Sequence, residues 1–234
     1  MSPTPTNALL PDAIVAEVAS GVSDAGWEAP TPEMCESIRT TETPLGVMYS
    51  FHATLLPMDS DAPQTLTYFL AIPRSDGSHE VYSFDLGEIA ETPEVVAHAE
   101  LTEVAPPTFS DDGWAEGHLV IERDYASLSA DPSCRGRDQY ARERLELVLM
   151  CSSHWCGAVK QSRTILREGF YQDCEGGRVP REEPAFRVSV RRTGERVALL
   201  PVSGEHPGDT GTFDAVHLNS HHALHGSFRG LAVE

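Results

Sequence analysis

The sequence predicts a mostly β protein, an antiparallel up-and-down β-barrel of about eight to ten strands with a short helical N-terminal arm. From Leu45 onward, apolar and polar residues alternate with a period of two. The alternating runs are joined by short turn-forming links, among them Asp76-Gly77, Asp111-Asp112-Gly113 and Thr193-Gly194. Long stretches of helical period are missing, which disfavours a doubly wound α/β fold, and no fixed repeat suggests a propeller or solenoid. The expected division is an arm over residues 1–44 and one barrel domain over 45–234.

In the arm, Pro3, Pro5, Pro11, Pro30, Pro32 and Pro44 leave room only for short elements. A helix is expected from Asp12 to Ser20, with Asp12 as its N-cap and Ile14, Val15, Val18 and Ala19 on one face. A second is expected near Pro32, capped by Thr31, with Met34, Cys35 and Ile38 as its apolar side. Strands follow at Leu45–Leu56, Leu66–Ile72, Glu80–Leu86, Glu94–Val104 and His118–Tyr125. Pro106-Pro107 is expected to stop the fourth of these, because proline cannot donate to a ladder. Tyr140–Cys151 and Gly157–Phe170 read as two long strands joined by a short link. A helix is the alternative for the first, because Ala141 to Leu147 are good helix formers. Phe186–Arg191 and Arg196–Val202 form a hairpin, and Phe213–Leu218 and Leu224–Val233 close the structure.

The net charge of -19 is unevenly spread. Residues 1–118 hold 20 acids and two bases, Arg39 and Arg74, whereas residues 119–234 hold 16 acids and 15 bases. This balance argues against nucleic acid and anionic membrane surfaces as partners, since both need clustered cations. It suits a basic protein partner, or simply a solubilising surface. No apolar run of ~18 residues is present, so no membrane-spanning helix is expected. The first residues, Met1 to Thr6, carry no basic residue and no apolar stretch, from which a cytoplasmic location is expected. Five cysteines, an odd number, make a disulfide framework an unfavoured expectation. The Cys151-x4-Cys156 pair alone does not make a zinc site, which needs four ligands.

Motifs for nucleotide, Rossmann, nucleophile-elbow and zincin chemistry are absent from the sequence, and no cofactor or metal is expected. What remains are side-chain constellations. Arg142, Arg144 and Glu146 share one parity on the first long strand, and Gln161, Arg163 and Arg167 share one on the second, followed by Glu168. Facing into a barrel, such guanidiniums would bind a carboxylate bidentately, and Glu146 or Glu168 would hold or transfer a proton. Facing outward, they would form cross-strand ion pairs while Leu145, Leu147, Leu149, Val159 and Ile165 fill the core. Trp155 in the link would cap a ligand at the barrel rim. His217, His221, His222 and His225 form a second cluster, read either as a metal site or as solvated and separately packed residues. Cys156 beside His154 is read as a turn thiol or a nucleophile.

The stretch Arg142-x-Arg144-Leu145-Glu146-Leu147-Val148-Leu149, then Gln161-Ser162-Arg163-Thr164-Ile165-Leu166-Arg167-Glu168-Gly169, resembles late strands of calycin-type barrels. Over about 30 residues it is similar to lipocalin-like proteins of photosynthetic organisms, including S-type phycobilin chromophore lyases. The resemblance implies a lipocalin-like barrel holding a linear tetrapyrrole that is passed to a cysteine of a partner protein. The functional expectation is a barrel that binds an amphipathic, partly anionic organic molecule in its interior, as a carrier or lyase. Two alternatives stand beside it: a non-redox cyclase or isomerase, and an acidic module for a basic protein. A homodimer is compatible with each.

Overall fold

A computed structural model describes residues 10–59, 62–92, 95–128, 137–152, 155–172, 178–180, 184–225 and 227–228. One helix, α1 (Asp12–Asp24), is followed by a 3-10 turn at Pro32–Met34. The long meander is β1 (Glu36–Thr43), β2 (Gly46–Leu55), β3 (Gln64–Pro73), β4 (His79–Glu91), β5 (Val95–Phe109), β6 (Ala115–Leu128), β7 (Arg137–Cys151) and β8 (Cys156–Arg167). Then come β9 (Phe170–Gln172), β10 (Arg178–Pro180), β11 (Phe186–Thr193), β12 (Arg196–Gly204), β13 (Gly211–Asp214), a 3-10 turn at Ala215–His217, β14 (Ala223–His225) and β15 (Ser227–Phe228).

The chain is thus mostly β, antiparallel and up-and-down, with one short N-terminal helix. Neighbouring strands pair in sequence order from β1 to β8, after which β11, β12 and β13 extend the sheet. The pairing of β4 with β5 is confined to Ala90↔Ala97 and Glu91↔Val96. Near the far end of β5, Arg39 of β1 donates to the Val104 carbonyl at 2.9 Å. β14 pairs with β8, and β15, one residue further along the chain, pairs with β4. The pairings therefore return to β4 through β5, β6, β7 and β8, an arrangement compatible with a barrel-like fold.

Three apolar clusters follow from the period-two pattern. The inward residues Tyr68 and Leu70 of β3, Phe84 and Leu86 of β4, Leu119 and Ile121 of β6, and Leu145, Leu147 and Leu149 of β7 pack into one buried core. On the outer face of β2 and β3, Phe51, Ala53, Leu55, Phe69 and Ala71 are covered by Ile14, Val18 and Val22 of α1. A third cluster joins Met150 of β7 and Val159 of β8 to Val188, Val197 and Leu199 of the β11–β12 hairpin. Arg192 anchors that layer. Its guanidinium meets Asp112 at 2.7 and 3.2 Å and Glu116 at 2.5 Å, and lies 4.8 Å from the Trp114 ring.

Several local expectations are corrected. The helix N-cap is Pro11, with Asp12 inside the first turn. The second helix is a single 3-10 turn, and Glu36–Thr43, within the segment assigned to the arm, is strand β1 paired with β2. Tyr140–Cys151, by contrast, is strand throughout, as expected. Pro106-Pro107 does not stop β5, because both fall in a bulge between the Ala105↔His118 and Thr108↔Glu116 pairs, where no ladder bond is needed. Gly117 opposite has no side chain to obstruct that bulge; a Cβ there would lie 2.7 Å from the Ala105 carbonyl oxygen. Cys151 and Cys156, directly paired with Cα atoms 4.0 Å apart, form a disulfide. The thiols considered there for metal or nucleophilic chemistry are therefore consumed. His154, Cys134 and Cys174 lie outside the described residues. Among those described, no helix is long and apolar enough to cross a membrane.

Candidate functional site

On three adjacent strands the inward apolar stripe ends in charge. On β6, Leu119 and Ile121 are followed at the same parity by Arg123; on β7, Leu149, Leu147 and Leu145 lead back to Glu143. On β8, a bulge at Gln161 shifts the parity, so that Arg163 faces Leu145 from the inner side. The result is an Arg123–Glu143–Arg163 cluster at one end of the core. Arg163 Nε donates to Glu143 Oε2 at 2.5 Å, and Arg123 Nη1 lies 4.0 Å from Glu143 Oε1. The three side chains are 27%, 14% and 11% exposed for Arg123, Glu143 and Arg163.

The local sequence of β4 seats Arg123. Between the Leu66↔Gly87 and Thr67↔Asp85 pairs, Leu86 is an extra residue in the ladder. Its carbonyl accepts from Arg123 Nε at 2.5 Å. Gly87 has φ 144°, and a Cβ there would sit 3.1 Å from that same Nε. Burial pulls the Arg123 pKa down, opposed by Glu143 and Asp85 and reinforced by Arg163. The group stays protonated because an arginine starts far above neutrality.

Two clefts flank the cluster. One, of about 330 Å³, lies against Gly87, Ala99 and Tyr125. The other, of about 560 Å³, adds Lys160, Leu145, Phe186, Pro207, Glu205, His206 and His221 to Arg123, Glu143 and Arg163. Lys160 Nζ donates to the Ser220 carbonyl at 2.7 Å. His206 stacks on His222 with ring centroids 5.6 Å apart, and its Nε2 is enclosed with no partner among the described residues. Burial chiefly, with His222, Lys160 and His221 nearby, lowers the His206 pKa; the Gly208 backbone opposes this. Three fixed cations thus meet two carboxylates beside an apolar wall. The arrangement can take an anionic group whose apolar remainder lies on Leu145 and Phe186.

The residues singled out from sequence are distributed differently. Arg142 and Arg144 lie on the outer face, bonded to Glu122 at 2.7 Å and Glu103 at 3.0 Å. Leu145, Leu147 and Leu149 fill the core beneath. Val159 belongs to the third cluster and not to the barrel core. A second bulge, at Leu166, sends Arg167 to the outer face opposite Arg142, away from Arg163. Gln161 is the bulge residue itself. Glu146 pairs with Val120 and Ser162 in mid-strand, while Glu168 follows the end of β8, so the structure does not bring the two together. Trp155 is 9% exposed and packs against Trp114, with centroids 6.2 Å apart, instead of capping the barrel. Of the histidines, His217 is exposed beside Asp214, and His221 lines the larger cleft. His222 is buried, its Nε2 donating to the Asp209 carbonyl at 2.8 Å. His225 lies in β14, and its side chain is outside the described residues. No metal-holding group of three His, Cys, Asp or Glu occurs among the described residues.

No family model, no curated protein and no solved structure matches this chain.

Proposed function

We propose that this protein binds an amphipathic organic molecule through its anionic end, at the guanidinium-lined end of the core and not in the middle. The buried apolar side chains of the central core, Tyr68, Phe84, Leu147 and Leu149 among them, favour that end over the middle. One observation carries the reading: in a chain of net charge -19, Arg123, Lys160 and Arg163 converge on a cleft that also presents Leu145 and Phe186. Arg123 and Arg163 both reach Glu143, and Lys160 lines the same cleft. A bound carboxylate or sulfonate would replace some of the solvation these cations lose on burial.

The test is calorimetric titration with 4-phenylbutanoate against 4-phenylbutan-1-ol, which differ only in the head group. The carboxylate is expected to bind at least tenfold tighter. Arg163→Gln should abolish that preference, and Glu143→Gln should strengthen carboxylate binding by freeing two guanidiniums. Equal affinity of the two compounds, or weakened carboxylate binding in a folded Glu143→Gln protein, would refute the assignment. Native mass spectrometry of freshly purified protein supplies the identity of any retained ligand.

A further inference from the structure

A different cavity, of about 310 Å³, lies on the opposite side of β3 and β4, beneath α1. The helix covers the outer faces of β2 and β3 but leaves Val81, Ser83 and Asp85 of β4 partly open. Its lining is mixed: Val18, Val22, Leu55, Phe69 and Trp27 are apolar, and Thr65, Thr67, Ser83, Asp85 and Glu17 are polar. Among the described residues, no lysine, arginine or histidine lines it.

Two details show a cavity that the sequence maintains. Thr65 and Thr67 are 5% and 4% exposed, on the helix-covered face where Phe69 and Ala71 continue the same parity. Valine would fit that strand surface without placing a hydroxyl under a helix. Neither threonine hydroxyl is hydrogen-bonded to another described residue. Gly21 lies inside α1 and lines the cavity. Glycine costs a helix roughly 0.5–1 kcal/mol relative to alanine, and here its missing side chain is part of the open volume.

We propose that this cavity binds a compact amphipathic amine, with its ammonium among Asp85, Glu17 and the threonine hydroxyls and its apolar body beside Trp27 and Phe69. An ammonium offers only donors, and the cavity offers carboxylate and hydroxyl acceptors. The half-buried Trp27 adds an aromatic surface favourable to a cation and to an apolar chain alike. Arg123 on the inner side of β4 feels the Asp85 charge but does not line the cavity. Asp85 keeps one structural bond, accepting from the Gly87 N–H at 2.9 Å. The volume suits a ligand of about a dozen heavy atoms.

The probe is 4-phenylbutylamine, titrated by calorimetry and by Trp27 emission, with 4-phenylbutan-1-ol as its neutral match. The amine is expected to bind at least tenfold tighter than the alcohol. Trp27→Phe should remove the fluorescence change. Gly21→Leu should fill the cavity and abolish binding while leaving the far-ultraviolet circular dichroism intact. Asp85→Asn should weaken amine binding at least fivefold. Glu17→Gln, on the exposed side of the helix, gives the same direction without touching the Gly87 contact. Arg163→Gln should leave amine binding unchanged, so failure here is distinct from failure at the guanidinium cleft. Equal amine and alcohol affinities, or binding that survives Gly21→Leu, would overturn the proposal.

Discussion

Gly87→Ala tests whether β4 is shaped to seat Arg123. At φ 144°, an alanine is strained, which costs about 1–3 kcal/mol. Its Cβ would also stand 3.0 Å from the Ala99 Cβ and 3.1 Å from Arg123 Nε. The guanidinium must then leave the Leu86 carbonyl, losing a charged hydrogen bond worth about 1.5–3 kcal/mol. The expected loss is about 3–5 kcal/mol, a fall in Tm of roughly 6–15 °C for a chain of this size. Urea denaturation of Gly87→Ala, Arg123→Gln and the double variant separates the two contributions. If alanine acts by displacing Arg123, the double variant loses clearly less than the sum of the singles. Carboxylate binding at the cleft should fall in parallel. Strict additivity, or a fall in Tm under about 2 °C, would show that Gly87 and Arg123 are independent and the seating argument mistaken.

Leu147 is fully buried in the central core, so Leu147→Ala should cost about 2–5 kcal/mol in urea titration while leaving 4-phenylbutanoate affinity unchanged; a large affinity loss would return the ligand to the interior. Cys151→Ala/Cys156→Ala, or reduction with dithiothreitol, should lower stability by about 2 kcal/mol on the loop-entropy argument, read from the denaturation midpoint. Arg192 chiefly, with Ser110, holds the Asp112 carboxyl down to about 2. A depressed carboxyl stabilises the fold above its unfolded value of about 3.9, and that contribution disappears as pH falls through about 2. Denaturation midpoints between pH 5 and pH 2 should fall less steeply in Arg192→Gln. Burial lowers the His206 pKa, so the folded state takes up fewer protons there. Stability should decline as pH drops below about 6.5, and His206→Phe should flatten that decline.

The strands were legible because period two survives wherever one face is buried. The turns at Gly77, Gly113 and Gly194, each with a glycine at positive φ, lie where the sequence placed them, whereas those at Gly26 and Gly46 carried no such expectation. Bulges were not legible, since an extra residue leaves no mark on composition. The bulges at Gln161 and Leu166 split Arg163 from Arg167, and the one at Leu86 created the carbonyl that Arg123 uses. Part of the cleft was nevertheless within reach. Extending the Leu149, Leu147, Leu145 stripe back by two gives Glu143, and extending Leu119, Ile121 forward by two gives Arg123. Attention to the conspicuous arginines at 142 and 144 selected the opposite parity, whose occupants are bonded to outer-face acids.

Those outer-face bonds also explain the lopsided charge of the chain. Arg144 on β7 reaches back to Glu103 on β5, and Arg192 on β11 reaches Asp112 and Glu116. The arginine-rich half therefore answers part of the acidic half when neighbouring strands pair. The Arg144–Glu103 bond is partly exposed and contributes little stability, whereas the Arg192 side chain is largely buried; opposite charges on facing strands favour one register over its neighbours. This weakens the case for the first half as a ready-made trap for a basic partner, because the acids on β5 and β6 already have cations of the same chain. It sharpens the case for the cleft. In a strongly anionic protein, an anion is repelled from afar and attracted only within about a Debye length, ~8 Å at physiological salt. An anion therefore has to reach the cluster itself, where Arg123 and Arg163 meet at Glu143 with Lys160 on the same cleft.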